Sequence, residues 1–118
     1  MMTLAEFIAH IQNGTPVDFS QTIAVISENY QYEPTAFRNG NTENAAGQNE
    51  GSCKIFAFAK LNGLTENQTL ACFGDYYRVD VLENPNAYDH QNIRQFMEHG
   101  WCGVEFEKTN TLKRFNLN

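Results

Sequence analysis

The stretch GQNEGSCKIFAF, residues 47–58, passes from a polar, glycine-punctuated loop into the most apolar run of the chain. Ser52 is a good N-cap, because its hydroxyl can accept from a free N–H group of a first helical turn. Cys53 then falls at the first helical position, where the positive end of the helix dipole favours a thiolate, and Lys54 adds a nearby cation. The apolar residues that follow predict a core helix from Cys53 to about Leu61.

Composition predicts one globular domain over residues 1–118. The chain is 42% hydrophobic and 19% charged, which is typical of a folded domain with a modest core. The net charge of −6 disfavours binding to nucleic acid or to anionic membrane surfaces, and we find no apolar run that could cross a bilayer. Three cysteines without a CxxC pair argue against a disulfide framework and favour a reducing cytoplasm.

Local signals predict where most helices begin and end. Capping boxes at Thr3–Glu6, Asp18–Gln21 and Thr65–Gln68 predict three helix starts. Asp89 is predicted to cap a further helix over residues 89–99, which Gly100 ends.

The helix that begins after Thr65 is predicted to be long. Its expected buried face continues through Gly74, which costs helix stability and favours close packing of a neighbour, to a stop at 84–86. The residues of that face recur at helical spacing: Leu70, Phe73, Tyr77 and Val81.

The predicted β-structure is small and lies mostly at the C-terminus. Alternation around Val104 and Phe106 predicts a strand, and residues 112–115 are expected to return beside it as a hairpin. The segment around Phe37 is a candidate third strand, closed by Asn39-Gly40, and residues 41–50 are predicted to be a surface loop. The fold class is therefore mostly helical α+β, with about five helices and a small antiparallel β-sheet.

Three polar runs carry a family resemblance. Residues 32–40 (YEPTAFRNG), 47–54 (GQNEGSCK) and 89–94 (DHQNIR) resemble the HopJ type III effector family, and the resemblance extends from about Phe19 to Phe106. It implies a small bacterial protein, cytoplasmic in the producing cell and secreted into a host cell if it acts as an effector. It implies no catalytic residues and no cofactor.

The residues themselves suggest one enzyme hypothesis. Cys53 would be a thiol nucleophile, His90 its base, and Asp89 or Asn92 the group that orients the base, as in a cysteine-dependent hydrolase or transferase. The alternative is that Cys53 is buried as a small apolar residue, which is common for cysteine.

The favoured hypothesis is a binding site for a protein partner or a small anionic ligand, where the 39–52 loop meets the 89–94 helix start. Helix N-termini offer free N–H donors, and arginine offers a bidentate fork. The alternative is that both arginines pair with nearby carboxylates and fix the loop. The candidate residues are Arg38, Asn39, Asn49, Ser52, Asn92 and Arg94.

No metal site is predicted, because His99 and Cys102 form a single close ligand pair and zinc sites usually have two. A third class is a partner-binding protein without chemistry. Its acidic surface and an exposed strand edge would suit a basic partner or strand addition.

Overall fold

A computed structural model describes residues 2–115 of the chain. Helix α1 spans Leu4–Asn13 and begins at the predicted capping box, in which Thr3 and Glu6 bond each other's backbone N–H groups. Helix α2 spans Phe19–Asn29, and Gln21 accepts from the Asp18 N–H at 2.8 Å. The two predicted helix starts are therefore confirmed.

Helix α3, Glu50–Leu61, is the centre of the molecule, and its residues Ile55 to Ala59 are all buried. The Phe56 ring contacts four other aromatic rings, and Phe58 packs edge-on against two more. The prediction that Ser52 caps this helix is wrong. Asn49 is the N-cap, and the helix begins three residues before Cys53.

The predicted long helix after Thr65 is interrupted. Its capping box is present, but helix α4 covers only Glu66–Ala71, and a π-helix follows at Tyr76–Val81. The cause lies at Gly74, which has φ +62°, and a Cβ there would lie 2.6 Å from the backbone nitrogen of Phe19. The predicted close packing at Gly74 is therefore present, but it accompanies an interruption of the helix and not a continuous helix.

Helix α5 spans Gln91–His99 and is followed by a 3-10 turn at Gly100–Gly103. Gly100 ends the helix as predicted, but with φ +63° and ψ −159° it lies outside the left-handed helical conformation of a usual C-terminal glycine. The prediction that Asp89 caps α5 is wrong, because the N-cap is His90 in the left-handed region.

The strands form two antiparallel sheets, one of two strands and one of three, and one strand pair from each sheet together resemble a single interrupted ribbon. β1 (Tyr30–Tyr32) pairs antiparallel with β5 (Leu112–Arg114), and β2 (Phe37–Asn39) pairs with β4 (Val104–Phe106). Four residues separate β1 from β2, whereas five separate β4 from β5, so the ribbon carries one extra residue on one side. Pro34, which lacks an N–H, lies in this interruption.

Two details of the predicted β-structure are corrected by this pairing. The expected C-terminal hairpin does not form, because β4 and β5 each pair with a different early strand. The expected loop at 41–50 begins with a strand, β3 (Thr42–Asn44), which turns back onto β2. The Phe37 segment joins β4 as expected.

The fold class is confirmed as mostly helical α+β with small antiparallel sheets. Side chains from helices and strands along the described chain share one buried core. Within residues 2–115, every helix is too short or too polar to cross a bilayer.

Candidate functional site

The first turns of helices α3 and α5 border one cavity of about 180 Å³. From the α3 side it is lined by Asn49, Gly51 and Ser52, and from the α5 side by His90 and Ile93. The polar part of this cavity therefore lies between the 39–52 loop and the 89–94 helix start, which were predicted to meet.

Both helices begin in an unusual way. Asn49 (φ +50°) and His90 (φ +53°) are the two non-glycine residues with positive φ in the part of the chain that the structure describes. In that same part, neither side chain caps its helix, whereas Thr3 and Thr65 cap α1 and α4. The first-turn N–H groups of α3 and α5 are therefore left without side-chain acceptors, although α3 carries the acidic Glu50 in its first turn.

An aromatic wall completes the cavity. The Phe19 and Tyr76 rings meet edge-on with centroids 5.0 Å apart, and the His90 ring lies 5.0 Å from that of Tyr76. Gly51 lets α3 approach this wall, because a Cβ on Gly51 would lie 2.8 Å from the Phe19 ring. The cavity thus has an apolar side and a side rich in N–H and hydroxyl donors.

His90 is held by carboxylates. Its Nε2 lies 3.0 Å from Asp80 Oδ2 and 3.8 Å from Asp89 Oδ2. One ligand atom from each of these three residues falls within 4.8 Å of the others, so they are the group that could hold a metal ion among the described residues.

Arg94 fixes the loop that carries His90. Its guanidinium donates to the carboxylate of Asp89 at 2.6 Å and to the backbone carbonyls of Asn84, Pro85 and Asp89. The hydrogen bond from Arg94 lowers the pKa of Asp89 below its ordinary value. Arg94 therefore stabilises this loop by pairing with a carboxylate, as the alternative to the anion-binding hypothesis predicts.

Behind the cavity lies a cluster of asparagines. Asn39 and Asn92 are buried and hydrogen-bonded to each other, and Asn44 exchanges bonds with Asn92 in both directions. Asn49 extends the chain by donating to Asn44 Oδ1 at 2.7 Å. The side chains of Asn39 and Asn92 therefore support the site from behind and do not line the cavity, while Asn49 links the cluster to it.

Cys53 does not have the environment of a nucleophile. Its backbone N–H donates to the carbonyl of Asn49, so it is not a free donor at the helix start. Its side chain is 1% exposed, its thiol donates to the carbonyl of Thr35 at 3.7 Å, and burial raises the pKa of the thiol. The expectation of a dipole-activated thiolate is corrected, because Cys53 lies in the second half of the first turn and is enclosed by the core.

The predicted partners of Cys53 are engaged elsewhere. The imidazole of His90 bonds Asp80, and Asp89 bonds Arg94, so the hydrogen bonds of the described residues include none between Cys53 and His90. The geometry therefore does not assemble a cysteine-dependent hydrolase or transferase.

Arg38 lies on a different surface. Its guanidinium donates to Glu105 at 2.9 Å on the outer face of the β2–β4 pair, in an open depression of about 590 Å³ that Arg94 does not line. The two arginines thus do not share a cavity, and the predicted arginine-lined site is wrong. Each arginine pairs with a carboxylate, but Arg38 takes one that the sequence did not suggest.

Sequence reasoning missed three residues of the site: Phe19, Tyr76 and Asp80. Phe19 falls in the helix predicted to start at Asp18, and Tyr76 and Asp80 fall inside the long helix predicted after Thr65. The break at Gly74 and the π-helix that follows bring Tyr76 and Asp80 to His90. No local sequence pattern predicts this interruption of the helix.

Comparison with known protein families decides the relationship of this chain. Residues 4–111 match the family described as HopJ type III effector protein. The chain belongs to the HopJ family.

A solved structure extends this result. The HopJ-family chain is similar to the protein of the crystal structure titled "unknown function protein VPA0580", with 50% sequence identity and a TM-score of 0.93. The alignment covers 97% of this chain and 95% of the other. A search of curated proteins finds no significant match. The comparisons thus establish the family and the fold of this chain, and they assign it no activity.

Proposed function

We propose that this type III effector-like protein binds a small anionic group, a phosphate or a carboxylate, in the cavity between the starts of α3 and α5. The observation that carries the proposal is that two helices without side-chain caps begin at the same cavity. Free N–H groups and the positive end of a helix dipole together form a ready anion site.

The polar side chains of the cavity support the same ligand class. Ser52 lines the cavity, and its hydroxyl can donate a hydrogen bond. Asp89 is already engaged by Arg94 and Asp80 by His90, which weakens their repulsion of an anion, whereas Glu50 in the first turn of α3 adds a negative charge. The cavity volume of about 180 Å³ corresponds to roughly six water molecules. It therefore suits one anionic group, with the remainder of a larger ligand outside.

Backbone amide chemical shifts provide the test. In a titration of the full chain with inorganic phosphate, we expect saturable shifts of the Gly51, Ser52 and Asn92 amides. The first-turn amides of α1 and α4 should not move, because threonine side chains cap those helices. Phosphate alone should bind weakly, since each helix start contributes only roughly 0.3–1 kcal/mol.

A charge variant makes the test specific. Ser52→Asp places a fixed carboxylate at the third position of α3, where it stabilises the helix and occupies the anion site, so phosphate binding should be lost in a folded protein. The matched control is Asn67→Asp, which adds the same charge to the exposed first turn of α4 and should leave binding unchanged.

Two results would overturn the proposal. One is a set of phosphate shifts spread equally over all helix starts. The other is phosphate binding that disappears in the presence of a chelator, because the ligand would then be held by a metal ion at Asp80, Asp89 and His90 and not by the helix starts.

The place of action is also a proposal. The family match supports delivery to a host cell, and the composition supports residence in the bacterial cytoplasm before delivery. Fusion of the chain to a reporter enzyme active only in host cytosol, expressed in strains with and without a type III apparatus, tests delivery. Equal reporter signal from the two strains would contradict it.

A further inference from the structure

A second cavity of about 500 Å³ lies on the other side of α3, between the end of that helix and the segment that joins β4 to β5. We propose that this groove binds a small amphipathic acid, a molecule with an apolar body and one carboxylate. The proposal is independent of the anion site described above, because the two cavities share no lining residue.

The walls of the groove are apolar. Leu61 from α3 and Val104 and Phe106 from β4 line it, with the buried Leu112 beneath. Leu61 is 57% exposed although residues Ile55 to Ala59 of the same helix are buried, so a large apolar side chain remains open to water at this place. A cavity of this volume with predominantly apolar walls is of the size that binds small molecules.

The free charges of the groove are positive. Lys60 and Lys108 line it, and Lys60 forms no ion pair with any described residue. The carboxylate among the lining residues, Glu105, is held by Arg38 at 2.9 Å. Lys108 lies 3.7 Å from the exposed Glu33, a contact of the kind that contributes little. In a protein of net charge −6, this is a local site for an anion beside an apolar surface.

A buried hydroxyl adds to this argument. Thr111 lines the groove, is 3% exposed, and its Oγ1 has no hydrogen-bond partner among the described residues. Such a group costs free energy until it finds a partner. A carboxylate oxygen that enters beside Thr111 would supply an acceptor, and its charge would be met by Lys60. The groove therefore offers an apolar wall for the body of an amphipathic acid, and a positive charge and a buried hydroxyl for its carboxylate.

Decanoate is the probe for the proposal, and decanol, which has the same apolar chain without the charge, is its matched control. Isothermal titration of the full chain should give one decanoate site and at least about 10-fold weaker binding of decanol, because a charge-assisted contact contributes more than about 1.4 kcal/mol. The amides of Val104, Phe106 and Thr111 should shift on addition of decanoate.

Variants of two lysines on the same helix locate the charge. Lys60→Gln should weaken decanoate binding about 10-fold. Lys54→Gln should not change it, because the Lys54 ammonium lies 4.7 Å from the Tyr32 ring centroid, outside the groove. Both lysines are at least partly exposed, so both variants should fold.

Further controls separate this site from the anion site. Decanoate should still bind to Ser52→Asp, and inorganic phosphate should not displace it. Equal binding of decanol, an equal loss in the two lysine variants, or the absence of saturable binding would each overturn the proposal.

Discussion

Asn39 and Asn92 join the sheet to the last helix through one side-chain amide. The Nδ2 of Asn39 donates to the backbone carbonyl of Asn92 at 2.7 Å and to its Oδ1 at 3.1 Å. Asn92 in turn donates to Asn44 Oδ1 at 3.0 Å, so β2, β3 and α5 meet in one buried polar cluster. This cluster holds the start of α5, and with it His90, against the start of α3.

Removal of Asn92 from this cluster should be costly. Asn92→Ala removes the side-chain hydrogen bonds that Asn92 makes with the buried Asn39 and Asn44, and we expect the free energy of unfolding to fall by about 2–4 kcal/mol. Chemical denaturation measures the loss. The control is Asn67→Ala at an exposed position of α4, for which we expect a change within about 0.5 kcal/mol. Similar losses in both variants would show that the cluster does not stabilise the fold.

Gly74 should not tolerate a side chain. Gly74→Ala forces a left-handed residue and places its Cβ 2.6 Å from the Phe19 backbone, so we expect a loss of at least about 3 kcal/mol in thermal or chemical unfolding. Gly47→Ala has a similar positive φ, +88°, but an open surrounding, and should cost only about 1–2 kcal/mol. If the two variants lose equal stability, close packing is not the reason for the break in the helix.

The three thiols should differ in reactivity. Cys102 is exposed, whereas Cys53 and Cys72 are buried, and burial raises the pKa of both, that of Cys72 to about 12. We expect a disulfide reagent such as dithiobisnitrobenzoate to label one thiol rapidly in native protein at pH 8, and two more only in denaturant. Cys102→Ser should abolish the rapid phase.

A second rapid thiol that disappears in Cys53→Ser would contradict this expectation. It would mean that Cys53 is accessible in solution, and the hydrolase or transferase hypothesis would have to be reopened.

The Asp89–Arg94 pair predicts a pH effect on stability. Because Arg94 lowers the folded-state pKa of Asp89, the stabilisation is present at pH above 3.8, the ordinary aspartate value, and is lost as the pH falls through the lower folded value. The melting temperature of Asp89→Asn should therefore lie below that of the natural chain at pH 7, and the difference should vanish at low pH. Glu28→Gln, at an exposed carboxylate, is the control, and a difference that does not change with pH would refute the assignment.

The helix starts at Thr3, Asp18 and Thr65 could be predicted because a capping box is a contact between residues three apart. The starts of α3 and α5 could not be predicted in the same way. At Ser52 and Asp89 a good capping residue is present, but the chain enters the helix earlier through Asn49 or later through His90. The left-handed conformation of these two residues depends on what packs around them.

The pairing of the strands also could not be predicted from local sequence patterns. The alternation around Val104 and Phe106 predicted a strand, but proximity in sequence suggested residues 112–115 as its partner. The observed partner is β2, which lies far away in the sequence. The polar loops were expected to meet the α5 start, and a cavity lies there, whereas Arg38 was misplaced because the face of a strand on which a residue lies depends on register.

The pairing of Tyr30 with Arg114 determines when the protein can fold during its own synthesis. Helices α1 and α2 are complete early, yet β1, which follows them directly, has no partner until Leu112–Arg114 has been synthesised. Until then the edge of β1 and the side of the core that it covers stay open to chaperones and to other chains. The fold of a nascent chain therefore stays incomplete until β5 is available, and the closure of this non-local strand pair is the slow kind of contact in folding.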